Sequence, residues 1–91
     1  MKFSEFLEWA KETIGAADPD FRQLSPDVMR STNFFASGRM DSIQLMNVLL
    51  QAEEDFGFQF SEQAFQDRRL QTVYGMFEVI SELKAGSYKG E

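Results

Sequence analysis

The sequence predicts an all-α fold: a four-helix bundle with a long first loop and a short third helix. Three runs carry apolar residues at three- and four-residue spacing, each bracketed by residues that start or stop helices. Strand-like alternation is confined to Phe58-Gln59-Phe60, too brief to found a sheet. With 91 residues, the chain has room for one domain and one core.

The first helix is expected over about 4–14. Phe3, Phe6, Leu7, Ala10 and Ile14 share one face, Ser4 is placed to cap it, and Gly15 to stop it. Residues 15–40 then read as an ordered loop, with turn and cap signals at Asp18-Pro19-Asp20, Ser25-Pro26-Asp27 and Ser31-Thr32-Asn33. A short helical turn is expected over 26–30. Phe21, Leu24, Val28, Met29, Phe34 and Phe35 are expected to pin this loop across the core, because so long a segment inside a small domain must pack or function.

The second helix, about 42–56, has the clearest signals. Asp41 and Gln44 form an Asp variant of the capping box, and Gly57 follows as the stop. Leu45, Met46, Leu49, Ala52 and Phe56 make its apolar stripe, which Ile43, Val48 and Leu50 widen. Phe58-Gln59-Phe60 is expected to be a connector with both rings turned inward. Ser61 starts the short third helix, to about Asp67, and Thr72 caps the last, to about Lys84, which buries Val73, Met76, Phe77, Ile80 and Leu83. Residues 85–91 are expected to form a flexible polar tail on a single domain spanning 1–91.

Composition narrows the chemistry. Fifteen acids against nine bases give a net charge of −6, which disfavours nucleic acid and anionic membranes as partners. There is no Cys and no His, so disulfides, thiolate or imidazole metal sites and the usual nucleophile–base pairs are absent. No apolar run approaches the ~20 residues that span a bilayer. A cytoplasmic monomer with no catalytic residues, no metal and no membrane insertion is the expectation. The charge is also localised. Residues 40–67 contain no Lys or Arg but hold Asp41, Glu53, Glu54, Asp55, Glu62 and Asp67, while the other nine acids balance the nine bases. Such a stretch is either a solvated face or a surface for basic partner proteins.

Ser42 falls in the first turn of the second helix, where backbone N–H groups lack partners and the helix dipole is positive. Gly38 allows a sharp turn before it. An anionic group on the Ser42 hydroxyl would be stabilised there, so the position suits a phosphate-linked modification.

The run Ser37-Gly38-Arg39-Met40-Asp41-Ser42-Ile43, followed by Leu49, Glu53-Glu54-Asp55-Phe56-Gly57, Phe60 and Thr72-Val73, resembles the acyl carrier protein family. The similarity covers about 34–83 with the family's spacing nearly kept. It implies a four-helix carrier bundle in which Ser42 bears 4′-phosphopantetheine, attached from coenzyme A through a phosphodiester by a phosphopantetheinyl transferase. The prosthetic thiol would hold an acyl cargo as a thioester, and loading ligases and downstream transferase or synthase enzymes would do the chemistry. The chain itself would not be an enzyme, in keeping with its missing Cys and His. The resemblance implies recognition by partners through Asp41, Met40, Ile43, Met46, Glu53 and Glu54.

The chain also departs from the family's fatty-acid carriers. Arg39 replaces a commonly apolar residue, Gln44 and Asn47 stand where acids are common, and Arg68-Arg69 is a basic pair. Met46, Phe58 and Phe60 are bulky and argue against deep sequestration of a long acyl chain. These features point to a specialised fatty-acid, polyketide-like or secondary pathway. The alternatives are an aminoacyl carrier similar to the D-alanyl branch, which shares the Ser-Gly-x-x-Asp-Ser and Phe-Gly features, or an unmodified acidic helical adaptor.

Overall fold

Helix α1 spans Phe3–Ala17. It starts one residue before the expected cap, because the backbone N–H of Lys2, not Ser4, is satisfied by the Glu5 carboxylate at 3.0 Å. It also runs through Gly15, which is buried beneath the side chain of Arg22. The helix stops where the Asp18 N–H donates to the Ile14 carbonyl oxygen and Pro19 opens a 3₁₀ turn, Pro19–Gln23. The structure, a computed structural model, describes residues 1–89.

The long first segment is ordered and holds a helix of its own, α2 at Pro26–Ser31. Pro26 sits at the N-terminal position where a missing N–H costs nothing, and the Ser25 hydroxyl accepts from the Val28 N–H. Phe21, Met29 and Phe34 are fully or almost fully buried, while Val28 and Phe35 point outward. Phe34 is further tied down because its N–H donates to the Gln71 carbonyl oxygen at 2.8 Å, within an isolated bridge between Asn33 and Thr72.

Helix α3, Ser42–Phe56, has the expected bounds and the expected capping box. Gly57 closes it in the left-handed conformation (φ 69°), which residues with a Cβ adopt at a cost. Leu45, Val48, Leu49 and Ala52 face the core, whereas Ile43, Met46 and Leu50 do not. In the connector, the Phe60 ring is buried and Phe58 packs edge-on against it with centroids 4.9 Å apart.

The short helix α4 covers only Glu62–Phe65, capped by Ser61. The chain then breaks at Gln66, and Asp67 turns its carboxylate onto the Arg69 N–H to start a second 3₁₀ turn, Arg68–Gln71. Helix α5, Val73–Ala85, is capped by Thr72 as expected. It packs against α1, α2 and the second 3₁₀ turn. The fold is thus the all-α bundle read from the sequence, with the helical turn expected over 26–30 present as α2 inside the first loop. The described part of the expected tail begins at Gly86, beyond which the Tyr88 hydroxyl donates to Asp67 at 3.0 Å. Residues 90 and 91 of that tail lie outside the described residues.

Candidate functional site at the start of helix α3

Ser42 is exposed and is the first residue of α3. Its neighbour Asp41 is committed to the helix: the carboxylate accepts the Gln44 N–H at 2.8 Å, and the Gln44 side chain accepts the Asp41 N–H at 3.0 Å. No acid lies in the first turn of α3. The exposed N–H end therefore favours a negative charge on Ser42. The approach to the serine is a tight turn in which the Arg39 and Met40 N–H groups both donate to the Phe34 carbonyl oxygen. Gly38 has φ 73° and open space where a Cβ would be, so conformation, not crowding, calls for glycine there. Arg39 is drawn away from Ser42 by Asp18, which it contacts at 2.8 Å.

A cavity of about 270 Å³ opens beside Ser42, between α3 and the segment running from α4 through the second 3₁₀ turn. Phe35, Leu45, Met46, Leu49, Phe65 and Leu70 supply its apolar lining, and Ser42, Gln66, Asp67, Arg68 and Gln71 its polar lining. The sequence did not reveal this cavity; it arises because the chain breaks at Gln66 and leaves α4 only one turn long.

The expected recognition residues divide. Ile43 (73% exposed) and Met46 (40%) lie on the outer face of α3 beside Ser42. Met40 does not. It is 4% exposed and belongs to the core, because the turn onto the Phe34 carbonyl directs it inward, so it offers no docking surface in this structure. Glu53 is half-buried and accepts the Phe60 N–H at 2.8 Å, while Glu54 is exposed. Asp55 is engaged by the Trp9 indole N–H at 2.8 Å and by Gln51 at 2.9 Å. Two residues that sequence reasoning did not assign to the site also lie on this side, Leu50 (48% exposed) and Phe35 (40%). The signal for Leu50 was its spacing: it stands seven residues after Ile43, two helical turns along one face.

A family model described as the phosphopantetheine attachment site matches residues 2–77. The chain belongs to that family of carrier domains. Compared with curated proteins and with solved structures, it has no significant match. The carrier thus provides an attachment site for covalent 4′-phosphopantetheine, and domains of this kind work with a phosphopantetheinyl transferase and acyl-processing enzymes without being catalytic themselves. The residues present fit the group: an exposed hydroxyl on a helix N-terminus whose one acid, the capping Asp41, is held on the Gln44 N–H, with a largely apolar cavity beside it. Among the described residues of the carrier no cluster suited to a metal occurs, and no helix is long and apolar enough to cross a membrane.

Proposed function

We propose that Ser42 is the attachment residue, and that the chain carries an acyl intermediate of a specialised fatty-acid or polyketide-like pathway as a thioester. The observation that carries the reading is the Ser42 hydroxyl standing on the N-terminus of α3 at the edge of the cavity. When bound, the prosthetic group supplies the thiol that this Cys-free chain lacks. The chain's own residues hold and present it. Asp41 and Gln44 fix the start of α3, the first-turn N–H groups stabilise the phosphodiester charge, and Leu45, Met46 and Leu49 offer an apolar wall.

Incubation of the full chain with coenzyme A, Mg²⁺ and a broad-specificity transferase tests the assignment. The chain is expected to gain the mass of one phosphopantetheinyl group, and Ser42→Ala to gain nothing. An unchanged mass with several transferases, or a gain that survives Ser42→Ala, sinks it.

A further inference from the structure

Arg68 begins the second 3₁₀ turn and lines the same cavity as Ser42. It is exposed, and among the described residues its guanidinium forms no ion pair. Its acidic neighbour is bonded elsewhere. The Asp67 carboxylate accepts from the Arg69 guanidinium at 3.0 Å, from the Arg69 backbone at 2.9 Å and from the Tyr88 hydroxyl at 3.0 Å. Arg69 in turn contacts Glu82 at 2.8 Å. Those acids and Arg69 form a network of their own, and Arg68 stands outside it. The other arginine near the site, Arg39, is held by Asp18. Arg68 is therefore the guanidinium of the cavity lining without an ion-pair partner among the described residues, although Asp67, Glu82, Arg69 and Arg68 together sum to zero charge, and the start of α3 favours negative charge on the Ser42 side.

We infer that Arg68 is the anion-binding residue of this cavity and takes an oxyanion carried on the Ser42 arm. The oxyanion is either the phosphodiester at Ser42 or a carboxylate on the cargo. A guanidinium matches both, since its planar fork donates two parallel N–H bonds to either group. Apolar cargo lies along Leu45, Leu49, Phe65 and Leu70, and the charged group of the arm or cargo pairs with Arg68. The inference rests on Ser42 being the attachment residue.

The test uses ¹⁵N-labelled full chain in four forms: unmodified, bearing phosphopantetheine, and bearing it loaded with acetyl or with succinyl. Mass fixes each form first. The Arg68 Nε–Hε resonance is then read in the natural chain, and the phosphorus resonance in the natural chain, Arg68→Gln and Arg68→Lys, each at low and high salt. If the phosphodiester is the ligand, the Arg68 resonance moves on attachment and stays moved with acetyl. The phosphorus resonance then differs from that of Arg68→Gln at low salt, and Arg68→Lys restores part of the difference. If a cargo carboxylate is the ligand, the Arg68 resonance moves with succinyl and not with acetyl. An Arg68 resonance unmoved in every form overturns the inference while leaving the attachment reading intact. A chain that never gains the mass overturns both. Arg68 is exposed, so these variants are expected to fold.

Discussion

Two glycines buried in helices separate crowding by backbone from crowding by side chain. A Cβ on Gly75 would collide with the backbone carbonyl of Arg69, which the second 3₁₀ turn holds in place. Gly75→Ala is therefore expected to destabilise the fold by about 2 kcal/mol or more, since overpacking against fixed neighbours typically costs ~1–3 kcal/mol and the better helix propensity of Ala returns less than that. The atoms nearest a Cβ on Gly15 belong to the half-exposed Arg22 side chain, which must shift from its Cγ outward but holds no backbone in the way. Gly15→Ala is expected to change stability by less than about 1 kcal/mol. Chemical denaturation of both variants decides the matter, and equal losses would show that Arg22 is as immovable as the Arg69 carbonyl. The sequence marks both positions as glycine and distinguishes neither. It places Gly15 at the end of a helix, because the neighbour that covers it becomes adjacent only after the 3₁₀ turn folds Arg22 back. Glu53 teaches the same lesson. It reads as a docking acid, yet its carboxylate closes the Phe60 N–H, so Glu53→Ala is expected to cost about 1–3 kcal/mol through a stranded donor.

Helix α3 was the most legible element, because its cap, stripe and stop are all local signals. What periodicity could not settle was which apolar residues of a broad stripe face outward. Ile43, Met46 and Leu50 follow one another at three- and four-residue steps on the outer face, and Phe35 is exposed on the same side. Residues 42–52 carry no charge at all, so the part of α3 nearest Ser42 is neutral and apolar. The acids follow it, and of Glu53, Glu54 and Asp55 only Glu54 has a carboxylate without a hydrogen-bonded partner among the described residues. Docking on this helix is therefore expected to be mainly apolar. Ile43→Ala and Leu50→Ala should each slow transferase or ligase turnover about five- to tenfold, matching the ~1–1.5 kcal/mol of a moderate contact in an interface. Glu54→Lys should have a smaller effect that fades at high salt, because exposed charges are screened. Turnover measured at two salt concentrations checks both. A dominant, salt-sensitive Glu54 effect would restore the acidic stretch as the docking surface. The irregular segments were the least legible. The place of Met40 depends on the Phe34 carbonyl turn, and the cavity depends on the break at Gln66. Both are set by hydrogen bonds between residues that no periodic pattern links.

At the scale of the whole molecule, one ionic network ties together the second 3₁₀ turn, α5 and the segment beyond it. Burial raises the Asp67 pKa, but hydrogen bonds from Arg69 and Tyr88 outweigh this and hold the carboxyl below its ordinary value. The bond from Arg69 likewise lowers Glu82. Burial and the bond to Asp67 raise Tyr88. For the two carboxylates the folded pKa is depressed, so their stabilisation is complete above the ordinary carboxylate range and is lost as pH falls through the depressed values. For Tyr88 the folded pKa is raised, so its contribution is complete below about pH 10 and is lost as pH rises further. Protonation of the remaining acids relieves the net charge of −6 and works the other way in acid. Comparison with variants therefore isolates the network better than the natural chain alone. Arg69→Gln is expected to destabilise the chain at neutral pH by about 1 kcal/mol, discounted for the partial exposure of Arg69 and Glu82. That corresponds to roughly 4–8 °C in midpoint for a domain of this size. The gap to the natural chain should then close as the pH falls below the carboxylate range. Tyr88→Phe should flatten the alkaline limb and, because the Tyr88 bond helps to lower Asp67, shrink the acid limb in part. Thermal midpoints followed by circular dichroism from acid to alkaline pH test both variants. A gap between Arg69→Gln and the natural chain that stays constant into strong acid would mean that Asp67 and Glu82 lend the fold no charge-dependent stability.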